Sequence, residues 1–303
     1  MNLCFGSTIP LALSAAIGGG LLATCFPAEA ATTVYELAQV THFHGLEVDP
    51  ADISRLYLAT HDGLFAVESD GTADPLSETR DDLMGFTTHP SDPSVLYASG
   101  HSAGGSNLGF VLSIDRGRSW TQLAEGVDGP VDFHQLDVSP AHPKTVYGAY
   151  AGELQASWDG GHTWEVVGAA PEGLIDLAAS SKEPGTLYAA TQFGLLKSED
   201  GGRSWQDAYW LRQPATMVHV TPDGAVYAFV LGTGLINTVE PKLSWRTISG
   251  NGFGGSFFLH LAVDPTSDSK LYAISFDPQS KEQAVLASND AGKTWAPHAK
   301  PTD

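Results

Sequence analysis

Seven of the eleven histidines, His42, His44, His61, His101, His134, His219 and His260, fall at matching places in a repeating chain. Neutral imidazole is the commonest protein ligand for Zn(II) and Cu(II). The His42-x-His44 pair, with His61, His101 and His134, therefore has the parts of a copper or zinc site. Met84 is the one thioether at these positions, a thin basis for a soft Cu(I) site. The same stretch supports other chemistry. With Phe43, Tyr150 and Gln192, the rings of His219 and His260 offer stacking faces and hydrogen bonds to a small ligand or glycan. Asp132 and Asp176 would form a hydrolytic pair if they faced each other across one cleft. The plainest reading makes all of these a polar lining that binds water and backbone.

The elements that position these residues repeat about every 40–50 residues, the spacing of propeller blades. Six apolar-alternating segments run into Pro or Ser turns: HGLEVDP (44–50), GFTTHP (85–90), QLDVSP (135–140), DLAASS (176–181), HVTP (219–222) and HLAVDP (260–265). A tyrosine marks the strand after each, at Tyr57, Tyr97, Tyr147, Tyr188, Tyr227 and Tyr272. A third strand then leads into a turn of pattern S-x-D-x-G-x-x-W, around Asp115, Asp159, Asp200 and Asp290. There the short Asp side chain accepts backbone N–H groups, Gly supplies a positive φ, and Trp starts the next strand. Two copies have decayed, at Ser69-Asp70-Gly71 and at Thr238–Trp245. Four strands in each of six units predict an all-β protein, a six-bladed β-propeller. Residues 33–40 resemble the strand after such a turn. They are expected to supply the outer strand of the last blade, with the tail after Trp295 competing for that place.

In a propeller the inner strands start around one mouth of a central channel, where side chains from all blades converge. Aligned on Leu46, Phe86, Leu136, Leu177, Val220 and Leu261, the preceding residues put His44, Met84, His134, Asp176, His219 and His260 at that mouth. His61, His101, Tyr150 and Gln192 join them from loops between second and third strands.

The S-x-D-x-G-x-x-W turns resemble the Asp-box (BNR) repeat of sialidases, sortilin-type propellers and related secreted proteins. In that family the box is structural and peripheral, so Asp115, Asp159, Asp200 and Asp290 are expected to hold the scaffold. Residues 33–298 are similar to a bacterial Asp-box propeller group usually labelled glycosylhydrolase. Sialidases capture a carboxylate with three convergent arginines. Here the seven arginines are 55, 80, 116, 118, 203, 212 and 246, and none opens an inner strand, which excludes that activity.

Lys plus Arg number 15 against 35 Asp plus Glu, a net charge of −20. Such a surface repels phosphate backbones and excludes nucleic acid as a partner. The expected partners are a small ligand, a metal ion, a glycan or a protein at the mouth of a monomer. Residues 10–25 form an apolar, small-residue run followed by Ala28-Glu29-Ala30, the pattern of a secretory leader spanning 1–30. Cleavage after Ala30 is favoured over lipidation of Cys25, and places a single domain, 31–303, in the periplasm or outside the cell. Both cysteines, Cys4 and Cys25, would leave with the leader, removing any disulfide or thiolate. No later run is apolar enough to span a membrane.

Overall fold

The computed structural model describes residues 32–250 and 253–298, and the leader expected at 1–30 lies outside them. Six four-stranded antiparallel sheets follow one another along the chain, as the repeat predicts. In blade one they are β1 (Phe43–Val48), β2 (Leu56–Thr60), β3 (Gly63–Val67) and β4 (Ala73–Pro75), with β1 innermost. The inner strands of blades two to six are Asp82–Thr88, Gln135–Val138, Leu174–Ala179, Ala215–Val220 and Phe257–Val263. Among the described residues, no helix is long and apolar enough to cross a membrane.

Successive residues of a strand point to opposite faces, so one blade serves two neighbours. Leu46, Leu58 and Phe65 of blade one pack with Tyr272, Ile274 and Val285 of blade six. The alternate residues Tyr57, Ala59 and Leu64 pack with Leu83, Phe86 and Leu96 of blade two. Every residue of β2 is consequently buried. The six marker tyrosines all lie in second strands and are all buried.

Each complete S-x-D-x-G-x-x-W turn repeats one set of bonds. At Asp200, Ser198 Oγ donates to Oδ1 (2.8 Å), Ser204 N to Oδ1 (2.9 Å) and Ser204 Oγ to Oδ2 (2.6 Å). Gly202 N donates to Ser198 Oγ at 2.8 Å. The same geometry recurs at Asp115, Asp159 and Asp290. Gly202 has φ +89°, and a Cβ there would lie 2.1 Å from Leu154 Cδ2 of the preceding blade. The turn thus presses against its neighbour where only glycine fits.

Residues 33–40 do not form the expected strand. Thr33 and Glu36 make a capping box that starts α1 (Val34–Leu37), and these local bonds displace strand pairing. Val34 and Leu37 pack into the cluster shared by blades one and six. The last outer strand is instead Ala296–Pro297, paired with Leu286 and Ala287.

Gly202→Ala should cost about 1–3 kcal/mol through overpacking and the unfavourable φ. Urea unfolding checks this, and an unchanged midpoint would show that the contact is soft.

Candidate functional site

β-Bulges aim the mouth residues. The pairing of inner and second strands slips between Phe43 and Gly45 and between Leu83 and Phe86. His44 and Met84 are thereby released from the ladder and line a cavity of about 280 Å³. Equivalent slips release Ile175, Thr216 and Leu259 in blades four, five and six, and all three line the same cavity. His134, just before the inner strand of blade three, completes the ring.

The alignment of blade five needs correction. Val218, not Val220, pairs as Leu46 does, and it stands four residues before Pro222 as Leu46 stands before Pro50. His219 therefore moves from the mouth into the channel, opposite Tyr227 as Glu47 is opposite Tyr57. Thr216 takes the mouth position.

Two imidazole–carboxylate clusters occupy one side of the mouth. In the first, His61 Nδ1 lies 2.5 Å from Asp82 Oδ2, and His44 Nε2 lies 3.7 Å from Asp82 Oδ1. His44 Nε2 and Asp82 Oδ1 are both buried and both lack a hydrogen-bond partner. One ligand atom from each of His44, His61 and Asp82 lies within 4.8 Å of the others. His42 is adjacent, its ring 5.5 Å from that of His61, and its carbonyl accepts from His61 N. In the second, Asp132 Oδ2 meets His134 Nε2 at 2.7 Å and His101 Nε2 at 3.1 Å. Asp132 Oδ1 is buried without a partner.

Charge is distributed unevenly over this lining. Burial, then the neighbouring imidazoles of His61, His260, His42 and His134, push His44 down to about 3. The hydrogen bond to Asp132 instead raises His134. Deeper in the channel a second cavity of about 230 Å³ is lined by Glu47, Asp137, Asp176, His219 and His260. Burial holds His219 and His260 neutral, down to about 4. It pushes Glu47 up to about 8, Asp176 to about 7 and Asp137 to about 6, with mutual repulsion adding at Glu47 and Asp176.

The other candidates are scattered. The Phe43 side chain is only 1% exposed and belongs to the core between blades one and six, so it presents no stacking face. Tyr150 is half-buried and its hydroxyl accepts from Asn107 Nδ2 at 3.0 Å. Gln192 is exposed in its loop. His260 lines both cavities. Asp176 accepts Leu177 N and Val218 N, both at 2.9 Å, which ties blade four to blade five. Asp82 was missed, although it sits four residues before Phe86 as Asp132 sits four before Leu136. Glu47 and Asp137 were missed too; a charged residue between two core positions of an inner strand was their signal.

The fold and its lining define a six-bladed β-propeller with a polar, histidine-rich channel mouth. It is similar to the GH74 enzyme of Niastella koreensis, with TM-score 0.62 and 16% identity over 85% of this chain and 45% of that one. The GH74 xyloglucanase from Xanthomonas campestris gives TM-score 0.56 and 20% identity, covering 85% of this chain and 45% of that one. The extracellular domain of a hybrid two-component system from B. thetaiotaomicron gives 0.56 and 12%, covering 88% of this chain and 34% of that one. These are likenesses of fold, and the chain spans less than half the length of each. No family model matches the sequence, and no curated protein matches it.

Glu47 binds its proton at about 8 in the folded chain, against an ordinary value of 4.5. Between those values the folded state holds more protons than the unfolded one, so Glu47 makes stability fall as pH rises. Glu47→Gln should flatten that slope and stabilise the protein at pH 8, as read by thermal unfolding across the window. An identical pH profile would show that Glu47 ionises freely.

Proposed function

We propose that this chain is an exported ligand-binding propeller whose mouth binds a divalent transition metal, copper or zinc, through His44, His61 and Asp82. The observation that carries this reading is the facing pair of buried, unpartnered atoms, His44 Nε2 and Asp82 Oδ1, 3.7 Å apart. That gap is too wide for a hydrogen bond, yet both atoms can reach one ion at about 2.0–2.2 Å. His61 adds a nitrogen from the loop, and His42 stands beside it as a further ligand. His44 stays neutral far below its ordinary pH range, so protons do not compete for it at neutral pH. The net charge of −20 favours the approach of cations without supplying the ligands.

The four S-x-D-x-G-x-x-W turns are read as Asp-box repeats, because they share one hydrogen-bond set and lie away from the mouth residues. Residues 1–30 are read as a removed leader, and the extracellular domain among the similar folds accords with export. The GH74 likeness raises glycoside hydrolysis as an alternative. Against it, Asp176 already accepts two backbone N–H groups and Asp132 two imidazoles. A panel of aryl glycosides should show no turnover above background; activity abolished by Asp132→Asn would reverse this preference.

Calorimetric titration of leader-free, tag-free protein at neutral pH should show tighter binding of Cu(II) than of Zn(II). The His44→Ala/His61→Ala double variant should lose the ion held by His44, His61 and Asp82. Equal, weak uptake by both proteins would eliminate the metal site and leave a polar channel.

A further inference from the structure

We infer that the mouth holds a second transition-metal site, made by His101, Asp132 and His134, next to the first. This deepens the proposed metal-binding function and rests on that reading of the mouth. Its test separates the two.

The two sets share a repeated histidine–carboxylate pair between neighbouring blades. His61 directly follows the second strand of blade one, and His101 ends the second strand of blade two; each lies four residues after the marker tyrosine. Asp82 and Asp132 each lie four residues before the first core residue of the next blade. In both cases the loop histidine of one blade meets the carboxylate of the following blade, at 2.5 Å and 3.1 Å. The third member is the mouth histidine two residues before a first core residue, His44 in one set and His134 in the other. The loop histidine and the carboxylate thus repeat in register, whereas the third imidazole differs in origin. His44 belongs to the blade of the loop histidine and His134 to that of the carboxylate, with Met84 at the mouth position between them.

Asp132 shows an unmet bond. Its side chain is 8% exposed, and Oδ1 is buried with no partner. Oδ2 takes both Nε2 atoms, at 2.7 and 3.1 Å. Ligands on a four-coordinate zinc are about 3.3 Å apart when the bonds are about 2.0 Å, so both N–O separations are near those of a shared ion. Only the two imidazole nitrogens must close on each other, from rings whose centres are 6.4 Å apart. Both side chains are partly exposed, 37% for His101 and 47% for His134, so turning them displaces little packed surface, whereas the ligand atoms of the first set already lie within 4.8 Å of one another. Two imidazoles and a carboxylate also leave a coordination position for water or a ligand group, as in catalytic zinc sites.

Equilibrium dialysis of the leader-free protein against Zn(II), with metal counted by mass spectrometry, should give two ions per chain. His101→Gln/His134→Gln should retain one, and His44→Gln/His61→Gln should retain the other. Asp132→Asn, which keeps the side-chain volume and so guards against misfolding, should weaken the second ion at least tenfold and leave the first unchanged. Co(II) should show two separable visible spectra, each lost in one double variant. One ion in the wild type, kept by the His101/His134 variant, would overturn the second site and leave the first standing. One ion lost only in the His101/His134 variant would support the second site and overturn the first. No ion in the wild type would overturn both.

Discussion

Every blade must bury both of its faces, and the ring follows from that requirement. A sheet with apolar side chains on both surfaces is stable only between two others, and the second strands are accordingly near-continuous apolar runs, buried on both faces. Crowding rises toward the axis, where six inner strands converge. Gly85 shows how tight it becomes: a Cβ there would sit 2.2 Å from the carbonyl oxygen of Phe133 in the next blade. Polar side chains survive at that radius by bonding across a junction. Asp137 accepts Ala179 N at 2.7 Å, and Asp176 accepts Val218 N at 2.9 Å. The channel acids are therefore also stitches between blades three, four and five.

The same carboxyl group behaves in opposite ways at the two radii. At the rim, Asp200 receives the hydroxyl and backbone N–H of Ser204 and is lowered to about 2. On the axis, Glu47 has no such donors and is raised to about 8 by burial and by two neighbouring acids. Hydrogen-bond donors stabilise the charged form and desolvation penalises it, so position in the ring decides which effect wins. The histidines divide likewise. His44 is buried among other imidazoles and held neutral, whereas His134 leans on a carboxylate and gains proton affinity.

The scaffold was legible because its signals are local and repeated: alternation within strands, a tyrosine in each second strand, and turns that need Asp and Gly at fixed spacing. The mouth was legible only as far as register carries. His42, His44, Met84 and His134 were placed on the correct rim, since their position depends on counting along similar repeats. His219 was misplaced because blade five was registered on Val220, two residues before Pro222, whereas every other first core residue stands four before its Pro or Ser. The connection from Val220 to Val226 is two residues shorter than from Val48 to Leu56, so counts from the tyrosine and from the proline disagree in this blade. Asp82 was overlooked because its pairing with His61 joins different blades, a relation set by the angle between sheets. Residues 33–40 misled for another reason. They carry the apolar pattern of a strand, but Thr33 and Glu36 satisfy each other within one helical turn.

Five junctions between neighbouring blades are bridged by continuous chain, while the sixth, between blades one and six, is held by side chains and by isolated bonds. Gln283 accepts from Phe43 N at 2.8 Å and donates to Phe43 O at 3.3 Å, and His298 Nε2 lies 3.1 Å from Glu68 O. No strand is shared across that seam, so parting it breaks no ladder of backbone hydrogen bonds. The ring is therefore a clasp rather than a hoop, fastened by these bonds and by the core that Leu46, Leu58 and Phe65 share with Tyr272, Ile274 and Val285. His42 and His44 flank Phe43 in sequence, and His44 begins the bulge that follows it. The Phe43–Gln283 pair thus fixes the backbone between two mouth imidazoles, so the fastening that closes the ring also sets where those rings stand.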